Sequence, residues 1–288
     1  MNVSRRLPLP AALLAGGAVA AWLAAPAAQF RSGVNLVEVY ATVTTQSGEA
    51  VTDLGPEAFV VREEGVLQVV STFAAGDLPL AVALAVDHSW SMAGRRLDTA
   101  RAAAHTFLDE LRPGDELMLL AVGSDVETAA PLSADRPAQH RAVDALGPWG
   151  STRLYDAVVT GLRRIGAASG RRALVVLSDG ADRSSTATAD EVVEAARRSD
   201  VLVYSVALGD AAPPLFARLA GLTGARTWHV ERVEELAPAF RAIARELRRQ
   251  YLLGYTPRPA PASGWRRLSV EVKRPGLAVR ARAGYYAR

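Results

Sequence analysis

The stretch that decides the fold spans residues 81–92 and reads AVALAVDHSWSM. Its first six residues are apolar without interruption, which is typical of a strand buried on both faces of a parallel sheet. A carboxylate, Asp87, ends the run, and two hydroxyls, Ser89 and Ser91, follow at alternate positions. The carboxyl end of such a strand is where open α/β sheets place their ligands. One carboxylate and two hydroxyls there predict an all-oxygen site, which favours a hard cation such as Mg²⁺.

Two more polar groups occupy matching positions farther along the chain. Gly150-Ser151-Thr152 precedes a helical pattern, and Ser178-Asp179-Gly180 follows the apolar run 173–177. Because ligand-binding loops gather at one edge of a parallel sheet, we expect these groups to lie beside Asp87. The alternatives remain open: Asp87 and the serines could cap a helix, and Asp179-Gly180 could form only a turn.

The pattern around this stretch indicates an α/β domain over residues 78–250. Short apolar runs alternate there with helical stretches, which predicts a parallel sheet with crossover helices. Strands are predicted at 80–86, 116–122, 173–177, 201–208 and 227–230, with an edge strand at 125–132. Helices are predicted at 92–111, 138–146, 154–165, 189–199, 214–222 and 233–249.

Both flanks of this α/β segment show strand patterns instead. Strands are predicted at 34–45, in a hairpin over 59–70, and at 251–255, 268–272 and 277–282. We therefore expect the α/β domain to be inserted in a small all-β domain made from both chain ends. The predicted division is 1–28, 29–77, 78–250 and 251–288.

The composition narrows the possible partners. Of the 288 residues, 50% are hydrophobic and 22% are charged, so the chain can bury a core and does not have a disordered composition. The formal charge is +3, and the arginines are scattered, so no nucleic-acid partner is predicted. There is no cysteine, which excludes disulfides and thiolate metal sites.

The amino terminus has the pattern of a secretory signal peptide. Arg5 and Arg6 precede an apolar segment, residues 11–25, which ends in the small residues Ala25-Pro26-Ala27-Ala28. Residues 1–28 are therefore predicted to direct the protein to the periplasm, the cell envelope or the exterior. The alternative is an uncleaved anchor, through which alone the protein would contact a membrane, but the run is short and interrupted by Gly16-Gly17.

Residues 87–91, 150–157 and 177–180 resemble the von Willebrand factor A (VWA) domain family in residue type, order and strand context. The resemblance covers about residues 78–250. The flanks resemble a related bacterial group of secreted proteins, through residues 59–65, 251–257 and 282–286. This resemblance implies the VWA fold, which is a Rossmann-like, doubly wound, mainly parallel sheet.

The resemblance also implies a metal-ion-dependent adhesion site (MIDAS). Ser89, Ser91 and Thr152 would supply hydroxyl oxygens to Mg²⁺, or alternatively to Mn²⁺ or Ca²⁺, and Asp87 and Asp179 would bind directly or through water. With few direct carboxylates the ion stays electrophilic, so an Asp or Glu carboxylate of a protein partner can take an open position. Family members commonly carry glycine where this chain has Trp90, whose indole has only an N–H donor and cannot bind a cation.

The function predicted from these features is an exported, non-enzymatic binding or adhesion module. The sequence has no H-E-x-x-H or G-x-S-x-G motif and no second carboxylate cluster for a two-metal centre. The alternatives are a structural component of an envelope complex with a vestigial metal site and a metal-dependent hydrolase. Asp182 is predicted to be solvated, and Asp156 to support the site or lie on the surface.

Overall fold

The computed structural model describes residues 36–76, 78–180, 182–260 and 262–287. The predicted signal peptide, residues 1–28, lies outside these ranges. Within them, no helix is both long enough and apolar enough to cross a membrane.

The described chain contains fourteen strands and six α-helices. The strands are β1 (Val37–Thr45), β2 (Phe59–Glu63), β3 (Val66–Gln68), β4 (Val70–Ala75), β5 (Leu80–Asp87), β6 (Glu116–Val122), β7 (Val126–Ser133), β8 (Arg171–Ser178), β9 (Leu202–Leu208), β10 (Thr227–Val230), β11 (Tyr251–Tyr255), β12 (Gly264–Val272), β13 (Leu277–Ala281) and β14 (Gly284–Ala287). The helices are α1 (Arg95–Glu110), α2 (Arg136–Asp144), α3 (Leu154–Ile165), α4 (Ala189–Arg197), α5 (Pro214–Thr223) and α6 (Leu236–Arg248). Short 3₁₀ helices span Pro56–Ala58, Trp90–Met92 and Val233–Glu235.

A six-stranded sheet lies at the centre of the fold, in the order β10-β9-β8-β5-β6-β7. Neighbouring strands run parallel except for β7, which pairs antiparallel with β6 at one edge. Strand β5 lies between β8 and β6, and all of its residues are buried. The predicted α/β fold with a mainly parallel sheet is therefore confirmed.

Helices cover both faces of this sheet. Leu84 and Val86 of β5 pack in one core with helices α1, α2 and α6. Ala83 and Ala85 pack in a second core with α3, α4 and α5. Successive side chains of a strand point to opposite faces, so an uninterrupted apolar run is what a strand between two helix layers requires.

The two ends of the chain pair with each other in two antiparallel sheets. One sheet has the order β13-β1-β11-β4, and the other has the order β14-β12-β2-β3. Apolar residues of both sheets, among them Val39, Val61 and Leu253, form a third core. Asn35–Arg288 form one compact unit, so the predicted division of this unit at residues 78 and 250 stays a prediction.

The start of the first helix differs from the prediction. The apolar pattern predicted one helix over 92–111, whereas the structure has a 3₁₀ turn at Trp90–Met92 and begins α1 at Arg95. Gly94 separates the two pieces with a φ of 75°, a left-handed conformation that suits glycine and interrupts a helix. The loop after Asp87 is thereby kept apart from α1.

Candidate metal site

Asp87 lies at the carboxyl end of β5 and is fully buried, with 0% of its surface exposed. Its Oδ1 accepts a hydrogen bond from the Ser89 backbone N–H at 2.9 Å, and its Oδ2 accepts one from the Ser178 hydroxyl at 2.7 Å. Burial raises the pKa of Asp87, and the negative charge of Asp179 raises it further, although the hydrogen bonds oppose the shift. Because both hydrogen-bond partners of this buried carboxylate are uncharged, a bound cation would offset the free-energy cost of its desolvation.

Three hydroxyls predicted to share the site form a continuous row. The Thr152 hydroxyl donates to Ser89 Oγ at 2.9 Å, and Ser89 Oγ lies 3.1 Å from Ser91 Oγ. Ser89 and Thr152 are almost fully buried. The structure thus brings Thr152 to the loop that follows Asp87 across 63 residues of sequence.

Backbone contacts hold the Thr152 loop against the Asp87 loop. The Gly150 carbonyl accepts from the Trp90 N–H at 3.1 Å, and the Trp149 N–H donates to the His88 carbonyl at 2.7 Å. Gly150 has a φ of 73°, and a Cβ there would lie 2.4 Å from Ser124 Oγ, so only glycine fits. These contacts fix where the Thr152 side chain can lie.

Asp179 follows β8 and is held by an arginine. Its Oδ2 lies 3.5 Å from Nη1 of Arg96, and its side chain is 12% exposed. The same nitrogen of Arg96 donates to the Ser91 carbonyl at 3.3 Å. The guanidinium therefore connects the Asp179 loop with the Ser91 loop from the start of α1.

Two contacts of the site involve residues that the sequence patterns did not indicate. The hydroxyl of Ser178 bonds Asp87, yet only its neighbour Asp179 was predicted as a ligand. Arg96 stands in no motif. A signal existed for Ser178, because it lies in the same strand-ending triplet as Asp179, but none existed for Arg96.

The prediction for Asp182 was wrong. Its Oδ1 accepts hydrogen bonds from the Tyr155 N–H at 3.1 Å and the Ser185 hydroxyl at 2.5 Å. Asp156 likewise accepts from the Thr186 and Ala187 N–H groups at 2.9 and 2.8 Å. Both carboxylates are partly buried and accept hydrogen bonds from backbone N–H groups, so they hold the loop after β8 against the start of α3.

The donor set fits a hard divalent cation. It offers only oxygen, from Asp87, Asp179 and the three hydroxyls, which suits Mg²⁺. Adjacent ligands of an octahedral Mg²⁺ with bonds of about 2.1 Å lie about 3.0 Å apart, and the two hydroxyl spacings are 2.9 and 3.1 Å. Among the residues that the structure describes, no group of three or more His, Cys, Asp or Glu could hold a metal, so a cation here would depend on the hydroxyls.

Replacing Arg96 is expected to strengthen Mg²⁺ binding. Its guanidinium neutralises Asp179 without a cation and would repel one. We expect Arg96→Gln to tighten Mg²⁺ binding by about twofold to fivefold, a small effect because the arginine side chain is 48% exposed. Calorimetric titration measures this change. Arg95→Gln is the matched control, since Arg95 pairs with Glu234; a weaker affinity in Arg96→Gln would contradict the expectation.

Comparisons with known proteins agree with this architecture. Residues 82–181 match the family model of the von Willebrand factor type A domain. A solved von Willebrand factor type A protein from Catenulispora acidiphila shares 15% identity, with a TM-score of 0.55, over 89% of this chain and 75% of its own. No curated protein matches the chain.

Two other solved structures share the fold. The vWF domain of the type V pili tip protein Mfa5 from Porphyromonas gingivalis is 14% identical, with a TM-score of 0.51, over 60% of this chain and 96% of its own. Proximal thread matrix protein 1 from the mussel byssus, solved with zinc in its MIDAS motif, is 12% identical, with a TM-score of 0.54, over 64% of this chain and 49% of its own. Residues 82–181 are therefore similar to the von Willebrand factor type A domain, and the chain shares the fold of these solved structures.

Proposed function

We propose that this protein is an exported, non-enzymatic binding module that holds Mg²⁺ at a MIDAS-type site and recognises an acidic group of a protein partner. Ser89, Ser91 and Thr152 would hold the cation through hydroxyl oxygens, and Asp87 and Asp179 would hold it directly or through water. The bound cation would supply an electrophilic centre for a partner's Asp or Glu carboxylate.

The observation that carries this proposal is the row of hydroxyls beside a buried carboxylate. A helix cap would need the Asp87, Ser89 and Ser91 side chains to accept from the N–H groups that begin a helix. Instead, the side chain of Ser89 makes no cap hydrogen bond to the 3₁₀ turn. The three hydroxyls contact one another, at spacings that suit neighbouring ligands of one ion.

Two tryptophans beside the site support a protein partner. Trp90 is 65% exposed and Trp149 is 42% exposed, and they lie on the two loops that carry Ser89 and Thr152. Large exposed indoles are unusual on a surface without a partner, and tryptophan is enriched at the centres of protein interfaces. We therefore propose that the partner presents an apolar residue close to its carboxylate.

Export and domain division are part of the same proposal. Export is supported by the signal-peptide pattern of residues 1–28. We propose cleavage after about residue 28, and a small β domain, 29–77 with 251–288, that carries the α/β domain 78–250.

A capture experiment tests the proposal. Immobilised protein is exposed to an envelope extract of the source organism with Mg²⁺, and bound proteins are then eluted with EDTA. We expect a partner that is retained with Mg²⁺, released by EDTA and lost in Trp90→Ala, while Trp90→Ala keeps its Mg²⁺ affinity because the indole is no ligand. Retention that is unchanged in EDTA would contradict the proposal, and absence of Mg²⁺ binding would favour a structural component with a vestigial site.

A further inference from the structure

A cleft lies at the end of the central sheet opposite the candidate metal site. It has a volume of about 890 Å³ and is bordered by α3, α4, the start of β1 and β14. We call it the arginine cleft, because Arg163, Arg172, Arg198 and Arg282 line it. Arg172 stands near the amino end of β8, whereas Ser178 ends that strand, and six strand residues span about 20 Å. The arginine cleft is therefore separate from the candidate metal site.

The positive charge of the cleft is only partly neutralised. The acidic residues that line it are Glu38 and Asp200, against four arginines. Arg172 pairs with Asp200 at 2.5 Å, and Arg198 pairs with Glu194 at 2.7 Å. With Glu38 counted as well, four arginines meet three carboxylates, so one net positive charge remains in the cleft.

Arg163 and Arg282 are the two cleft arginines without a carboxylate in direct contact. Arg282 donates from Nε to the Gly284 carbonyl at 2.7 Å and from Nη2 to the Ser199 carbonyl at 3.2 Å, so its hydrogen bonds go to neutral acceptors. Within the described ranges no carboxylate forms an ion pair with Arg163 or Arg282. Guanidinium groups bind carboxylates through paired hydrogen bonds, so this excess fits an anionic ligand.

The shape of the cleft favours a peptide over a simple ion. Its volume is near the upper end of the roughly 300–1,000 Å³ found for ligand sites, far more than a simple inorganic anion fills. One wall is β14, which pairs only with β12 in the described part of the chain and contributes Tyr285 and Tyr286 to the cleft. An edge strand can pair with an extended peptide through its backbone.

We propose that the arginine cleft binds an extended acidic segment of another protein, independently of any metal. The chain's own preceding segment does not supply the charge, because residues 1–35 contain three arginines and no Asp or Glu. The segment would add carboxylates opposite Arg163 and Arg282 and backbone groups opposite β14. This interaction does not depend on the MIDAS-type site.

The test uses a fluorescent, end-blocked hexaglutamate peptide, whose binding to the full protein is measured by fluorescence anisotropy. The buffer is freed of metals with a chelating resin, since dissolved EDTA is itself a polyanion. Hexaglutamine of the same length is the uncharged control. We expect binding of hexaglutamate, weakened by salt, and no binding of hexaglutamine.

Matched variants locate the binding. Arg163→Gln removes an exposed cleft arginine and is expected to weaken hexaglutamate binding by about fivefold. Arg164→Gln removes its exposed neighbour, which does not line the cleft, and is expected to leave binding unchanged. Thr152→Val is also expected to leave it unchanged.

The proposal is overturned if hexaglutamate does not bind, if Arg164→Gln weakens binding as much as Arg163→Gln, or if Thr152→Val abolishes binding, which would place the peptide at the metal site. Displacement by an equal concentration of inorganic phosphate would show a general anion site and would also overturn it.

Discussion

Thr152→Val is expected to weaken Mg²⁺ binding by at least about 10–100-fold. Loss of a residue that only supports a metal ligand costs this much, and Thr152 is a proposed direct ligand. Valine has nearly the shape of threonine, so the buried side chain, 1% exposed, keeps its packing. The variant loses one hydrogen bond, from Thr152 to Ser89, at a cost to folding of about 1 kcal/mol. Calorimetric titration of the metal-free protein with Mg²⁺ measures the change in affinity.

Asp87→Ala is expected to abolish Mg²⁺ binding, but unlike Thr152→Val it would also destabilise the fold. It would also leave the Ser89 N–H and the Ser178 hydroxyl without their acceptor, and each unsatisfied buried donor costs about 1–3 kcal/mol of stability. Thr152→Val therefore separates the metal site from the stability of the fold.

Ser151→Ala is the matched control for Thr152→Val. Ser151 lies in the same loop, and its backbone N–H donates to Ser124, whereas the structure shows no described residue bonded to its hydroxyl. We expect its Mg²⁺ affinity to equal that of the unmodified protein. Equal affinities in Thr152→Val and the unmodified protein would rule out Thr152 as a ligand.

Glu63→Leu is expected to lower the free energy of unfolding by about 3–5 kcal/mol, the cost of removing one member of a buried charged network. Glu63 is 2% exposed, accepts from the Tyr255 and Tyr285 hydroxyls at 2.8 and 3.2 Å, and pairs with Arg266 at 3.0 Å. These contacts join an early strand to strands near the end of the chain. Chemical denaturation followed by circular dichroism measures the loss.

Glu64→Gln is the control for this prediction. Glu64 is the next residue and pairs with Arg267, whose side chain is 78% exposed. Exposed pairs of this kind contribute little to stability, so we expect a smaller loss in Glu64→Gln than in Glu63→Leu. A loss in Glu63→Leu no larger than that in Glu64→Gln would mean that the buried network does not hold the two chain ends together.

The same network is expected to make the stability of the protein fall at alkaline pH. Burial, followed by the negative charge of Glu63, raises the pKa of Tyr285 to about 12 from its ordinary value of 10.0. The unfolded chain ionises this tyrosine first, so its contribution to stability falls as the pH rises from about 10 to about 12. In Tyr285→Phe we expect this part of the pH dependence of stability to be lost. Denaturation at a series of pH values measures the stability, and tyrosinate absorbance of the unmodified protein measures the ionisation.

The central sheet could be predicted from sequence because local patterns decide it. The run from Ala81 to Val86 is apolar at every position, as a strand between two helix layers requires. Likewise the strand-ending positions of Asp87 and Asp179 follow from topology, since carboxyl ends of parallel strands share an edge. The start of α1 could not be predicted as well, because the apolar pattern continues through Gly94.

Contacts between residues far apart in the sequence could not be predicted from sequence patterns. Ser178 and Asp87 are 91 residues apart, and Glu63 and Tyr285 are 222 residues apart. Whether such side chains meet depends on the register of strands and the conformation of loops. Arg96 shows this most clearly, because its place beside Asp179 follows from where α1 begins.

The most direct test is a crystal structure with Mn²⁺ in place of Mg²⁺, located by its anomalous scattering. We expect one strong peak within direct bonding distance of the hydroxyl oxygens of Ser89, Ser91 and Thr152, at the edge of the sheet beside Asp87 and Asp179. A map with no peak there, and with Arg96 still paired to Asp179, would contradict it.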